Sequence, residues 1–153
     1  MKVTSYRRIR FKVVSRTDSK TNSIQMDSYN PDLSPTPADW LQTDEGERIG
    51  LVSSYHRRKK IKLPNPRLHA VIHVVVENQL ALREEVVLKT LARLQGEGLG
   101  RHDALHAIGS VLAEDLYTLM QEGDSSSGEI YQRYLERLQR LTAKSWLSGR
   151  GDR

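Results

Sequence analysis

Four of the chain's 5 histidines stand in two His-x-x-x-His pairs, His69 with His73 and His102 with His106. On a helix this spacing stacks two imidazoles on one face about one turn apart, close enough to share an ion. His56, upstream of both pairs, is a candidate fifth donor. The chain has 0 Cys, which excludes disulfides, thiolate metal sites and cysteine nucleophiles and leaves imidazole, carboxylate and water as ligands. Such a donor set suits a divalent transition metal, Zn or Fe, with Ni and Cu also compatible. Glu77 extends the first row by another turn, and Asp103 and Glu45 are further carboxylates that could support the ligands from behind. The competing reading keeps the same residues as hydrogen-bonded core histidines of a non-catalytic interaction or oligomerisation module.

Other catalytic patterns are weaker. His102-Asp103-Ala104-Leu105-His106 approximates the H-E-x-x-H of zinc peptidases, but Asp replaces the general-base Glu and holds its carboxylate one methylene shorter. Asp103 also has an ordinary role as an acid in the first turn of its helix. Ferritin-like di-iron sites want two Glu-x-x-His motifs, and only Asp103-x-x-His106 comes near one. Gly96, Gly98 and Gly100 follow a helix and precede no Lys-Ser/Thr pair, so they are not a phosphate loop. No reaction is specified by these residues.

The elements that must position the histidines read as helices. Asn65 as N-cap and Pro66 at the first helical position start one that runs to about Leu82, with Leu68, Val71, Ile72, Val75 and Val76 as its apolar stripe. Its Val-rich run resembles a buried strand, but its length and its start signal favour a helix. Before it, a helix opens at Thr43 as N-cap and ends in Arg57–Lys60. After it come a helix from Glu84 to about Gln95, stopped by glycines, and a long one from Arg101 to about Gln121. In that long helix Gly109 and Ala113 continue the row of His102 and His106, and small residues there allow a neighbouring helix to approach closely. A last helix starts at the capping box Ser126-x-x-Glu129 and reaches Leu141. The expected fold is all-α, a small bundle of four or five helices over 43–143, with Ile72, Val75, Leu91, Leu105, Leu112 and Leu138 in its core.

Outside that domain the composition changes. Residues 1–25 hold seven Lys or Arg against Asp18 alone, so the net charge of +5 is concentrated there and the remainder is close to neutral. Ile9, Phe11 and Val13 alternate with basic residues as in a strand, yet no partner strand follows, and the stretch reads as a basic tail or transit-like segment upstream of Met26. Residues 27–42, with Pro31, Pro35 and Pro37, read as an extended lead-in anchored by Trp40 and Leu41. Residues 1–42 together form the extended or disordered N-terminal segment, and 144–153, including the chance tripeptide Arg150-Gly151-Asp152, form a C-terminal tail. A nucleic-acid binder would use residues 7–12 and 57–62, but Arg57–Lys60 complements a helix C-terminus, so nucleic acid is a disfavoured partner. The longest apolar run, around Val74–Val76, is far too short for a membrane span, and a soluble cytoplasmic protein, free to form a homo-oligomer, is the expectation.

Tyr55-His56, then Asn65-Pro66-x-Leu68-His69-x-x-x-His73 with Gln79, then His102-x-x-x-His106 before an apolar helix, together resemble a family of short bacterial proteins known as a domain of unknown function. The resemblance covers roughly 43–143. It implies that all five histidines and Gln79 belong to one shared feature, and it implies no reaction.

Overall fold

A computed structural model describes residues 26–123 and 127–150, which are helical with no strand among them. Seven helices appear: α1 (Pro37–Gln42), α2 (Glu45–Arg58), α3 (Pro66–Ala81), α4 (Glu85–Gly96), α5 (Arg101–Glu122), α6 (Ser127–Arg140) and α7 (Ala143–Arg150). Helices α2–α6 are the five expected over 43–143, and the two short ones flank them. None of the described helices is long and apolar enough to cross a membrane. The basic stretch 1–25, the cap residue Ser126 and the end of the Arg-Gly-Asp tripeptide lie outside the described residues.

Local signals account for most boundaries. The Asn65 carboxamide oxygen accepts from the Leu68 amide at 3.1 Å, and Pro66, which has no amide to satisfy, opens α3. The cap of α2 is Asp44, which accepts from the Gly46 amide at 2.9 Å, in place of the expected Thr43. Thr43 is instead the buried C-cap of α1, its hydroxyl donating to the Asp39 carbonyl at 2.8 Å. Helix α1 thus replaces part of the expected extended lead-in: Pro37 opens it, as proline does well in a first turn, and burial of Trp40 pins it. Leu41 stays largely exposed. Helix α5 ends at Gly123, whose φ of +63° is the left-handed conformation that glycine adopts without strain. Helix α7 turns part of the expected tail into structure, capped by Thr142, whose hydroxyl accepts from the Ser145 amide at 3.0 Å.

The long α5 packs against α3, α4, α6 and α7, and α3 lies against α1, α2, α4 and α5. Two apolar cores result. Val76, Leu80, Val87, Leu94, Ile108 and Leu138 belong to one, and Tyr29, Trp40, Val52, Tyr55, Ala70 and Val74 form the other. Leu105 and Leu138 are buried as expected, whereas Ile72, Val75, Leu91 and Leu112 are only half-buried.

The roll of α3 differs from its apolar stripe. Its buried residues are Ala70, His73, Val74, Val76, Glu77 and Leu80, and Leu68 is 49% exposed. The His73–Glu77 line points inward because its polar groups find partners there, which removes the cost that would otherwise keep them outside. Closeness of α3 to α5 depends on Gly109, where an added Cβ would lie 2.9 Å from Cγ2 of Ile72. That contact brings the two histidine rows within reach of each other.

Candidate metal centre

Five imidazoles converge between the end of α2, the first half of α3 and the start of α5. Ring centroids lie 5.1 Å apart for His69 and His73, 4.2 Å for His102 and His106, and 5.0 Å between His73 and His106 across the two helices. His56 joins from α2 at 4.6 Å from His69 and 4.9 Å from His73. One nitrogen from each of His56, His73, His102 and His106 falls within a set whose members are all within 4.8 Å of one another. His69 Nε2 is 3.1 Å from His56 Nε2, which in turn is 3.3 Å from His102 Nε2. A tetrahedral ion with bonds of ~2.0 to 2.1 Å spaces its nitrogens by roughly 3.3 Å, so the shortest separations are those of an ion's first shell or of imidazole–imidazole hydrogen bonds, and the wider ones would have to close by about 1.5 Å around an ion.

Two of the rings are oriented from outside. Nδ1 of His56 lies 2.9 Å from the Val52 carbonyl, which only accepts, so Nδ1 carries the proton and the Nε2 lone pair faces the cluster. Nδ1 of His73 lies 3.3 Å from the Tyr29 hydroxyl, and that hydroxyl spends its single proton on Glu77 Oε1 at 2.7 Å. The phenol oxygen is therefore left to accept from His73, and the His73 Nε2 lone pair also points inward. Nε2 of His73 and of His106 are buried with no hydrogen-bond partner.

Behind Tyr29 stands a buried ion pair. Arg101 donates to both oxygens of Glu77, at 2.8 and 2.9 Å, and to the Pro31 carbonyl at 2.8 Å. Glu77 is 2% and Arg101 8% exposed, and the bidentate geometry meets the hydrogen-bonding needs that burial imposes. Burial, and then the Glu77 charge, hold the Tyr29 phenol protonated far above the ordinary tyrosine range. Burial alone would lower the Arg101 pKa, but the hydrogen bonds and charge of Glu77 reverse that.

The electrostatics of the cluster favour neutral rings. Burial, helped by the neighbouring imidazoles, pushes His69 down to about 4 and His106 to about 3. The same causes drive His73 well below the ordinary histidine range and lower His102. Neutral imidazole is the form that donates a lone pair to a metal.

The outlying candidates separate clearly. Glu77 is one hydroxyl removed from His73, in the supporting place its spacing suggested. Asp103 is exposed and faces Arg150 at 3.9 Å, because its position in the first turn of α5 points away from the cluster. It is therefore not placed as the general base of a peptidase motif. Gln79 accepts from the Tyr134 hydroxyl at 2.8 Å, since two residues beyond Glu77 it sits on another side of α3. Glu45 is exposed in the first turn of α2, and Arg57 and Arg58 in its last turn and Lys59, Lys60 and Lys62 beyond it are exposed too. Tyr29 and Arg101 were not among the sequence candidates. The one available signal was Glu77 itself: a carboxylate on the row of buried histidines requires a cation, and Arg101 adjoins His102. Compared with family models, with curated proteins and with solved structures, the chain matches none.

Proposed function

We propose that this protein holds a divalent transition-metal ion, Zn or Fe, at the Nε2 atoms of His56, His73, His102 and His106, with His69 as a fifth donor. One observation carries the reading. The Nδ1 atoms of His56 and His73 are engaged on the outside, which turns their Nε2 lone pairs to the cluster, and the Nε2 atoms of His73 and His106 are buried there with no hydrogen-bond partner. A buried nitrogen without a partner carries a desolvation cost that a bound cation removes. The interaction-module reading explains burial of the rings and hydrogen bonds among them, but it leaves the Nε2 atoms of His73 and His106 without partners.

An all-imidazole shell is neutral, so a bound divalent ion keeps its full charge and acts as a Lewis acid or, if iron, as a one-electron centre. The chain's own residues supply the rest. Tyr29, fixed by Glu77 and Arg101, holds the His73 ring in one tautomer, and the Val52 carbonyl does the same for His56. Elemental analysis of protein purified without a His tag, followed by Co(II) titration of the chelated form, tests this. Near-stoichiometric metal and visible bands of a nitrogen-ligated Co(II) are expected. Absence of bound metal, together with a melting temperature unchanged by added Zn or Fe(II), overturns the reading.

A further inference from the structure

Beside the histidines, between α3, α5, α7 and the segment after α2, lies a cleft of about 530 Å³. His69, His73 and His106 form its floor, and Ile72, Leu105 and Trp146 are among its walls. That volume falls in the range of small-molecule sites, and the combination of apolar walls with a few convergent polar groups is their usual construction. Two cations line it, Lys62 and Arg150, both exposed. No carboxylate lines it.

The charge count at these cations selects the ligand. Arg150 has Asp103 at 3.9 Å, which offsets its charge, and it lies 4.8 Å from the centroid of the Trp146 ring, which holds it over the wall. Lys62 has no carboxylate within ion-pair distance among the described residues. With no ion bound, the side chains leave a surplus of a single positive charge, which matches one carboxylate better than a dianionic phosphate. Apolar walls rather than polar ones require a hydrocarbon body behind that carboxylate.

We propose that this cleft binds a small apolar monocarboxylate, its carboxylate at Lys62 and Arg150, its body between Ile72, Leu105 and Trp146, and its far end against the His69, His73 and His106 edges. That this ligand is the substrate of the centre rests on the metal reading above.

The probe is 4-phenylbutyrate, titrated by calorimetry into the full chain, first as purified and then after chelation, with 4-phenylbutanamide and inorganic phosphate as comparisons. The acid is expected to bind at one site per chain, with the amide and phosphate each at least tenfold weaker. Arg150→Gln and Lys62→Gln should each weaken the acid by roughly tenfold, the scale of one charge-assisted hydrogen bond, without changing metal content or melting temperature. Quenching of Trp146 fluorescence should follow the same isotherm and vanish in Trp146→Phe, because Trp40 is fully buried in the other core. In the chelated protein, equal binding of acid and amide, tighter binding of phosphate, or indifference to both Gln variants overturns the proposal, whatever the metal content as purified. Acid binding that survives chelation supports the cleft whatever becomes of the metal reading, and stoichiometric metal without acid binding overturns the cleft alone, so the two fail separately.

Discussion

Between α4, α5 and α6 the interior is mainly aliphatic: Val87, Leu94, Ile108 and Leu138 are wholly enclosed, with Thr90, Tyr134 and Asp115 as the buried polar side chains among and beside them. Between α1, α2 and α3 it is aromatic and polar, with Tyr29, Trp40 and Tyr55 around a bidentate Arg101–Glu77 pair and an imidazole cluster. The first region needs chiefly apolar side chains of the right volume, and many sequences would serve there. In the second, each buried polar atom must meet a particular partner, and losing one partner strands another. The contrast identifies which half was shaped by demands other than stability, because an all-hydrocarbon interior there would fold at least as well.

Acid should separate the two regions most strongly. His69, His73, His102 and His106 have folded pKa values below the ordinary 6.5, His69 at about 4 and His106 at about 3, so between 6.5 and the folded values the unfolded chain binds more protons than the native one. Stability of metal-free protein is therefore complete above pH 6.5 and falls as the pH drops through the folded values. Denaturant titrations from pH 7.5 to 4 should show that slope, and a flat profile would mean that the rings are not held neutral.

Glu77→Ala comes next. It leaves the Arg101 guanidinium buried without its counter-ion, at a cost of about 3 to 5 kcal/mol, and it releases Tyr29 from His73 as well. Both denaturation and metal content should register the change. Leu138→Ala, in the aliphatic region, should cost about 2 to 5 kcal/mol through lost burial and the cavity left behind. Metal content per folded chain should stay at the wild-type value, and a parallel loss of metal would show that the regions are not separable.

Metal loading tests the polar region in the opposite direction. At a free ion concentration 100 times the dissociation constant, stabilisation should be about 2.7 kcal/mol, read as a rise in melting temperature. His73→Ala should abolish that rise. The smallest effect belongs to Tyr29→Phe, which keeps the ring in its place but removes the hydroxyl between Glu77 and His73. Metal affinity should weaken at least tenfold, about 1.4 kcal/mol, with the helix content unchanged. An unaltered affinity would show that Tyr29 packs without orienting the ligand.

Much of the architecture was legible because its signals are local. Asn65-Pro66 starts a helix through one side-chain hydrogen bond and one fixed φ, and the glycines after α4 and α5 end helices through backbone geometry alone. The Pro-rich stretch 27–42 was less legible. What orders it is burial of Tyr29 and Trp40 against α3, and a distant surface leaves no period in the lead-in itself. The roll of α3 was misjudged for a related reason, since hydropathy ranks Leu68 and Val75 above His73 and Glu77 and takes no account of partners 24 to 44 residues away.

The sequence by itself determined an all-α chain, a thiol-free donor set and two pairs of imidazoles each stacked on one helical face, since spacing along one helix is a property of that helix alone. That the pairs meet depends on tertiary structure: Gly109 lets α3 approach α5, and the end of α2 delivers His56 to the same point. The direction of the His73 lone pair was decided there too, by Tyr29, Glu77 and Arg101 from three separate segments, whereas that of His56 is set by a carbonyl one turn back in its own helix. Hydrogen bonds between segments form only once packing has brought the partners together, and no local pattern records them.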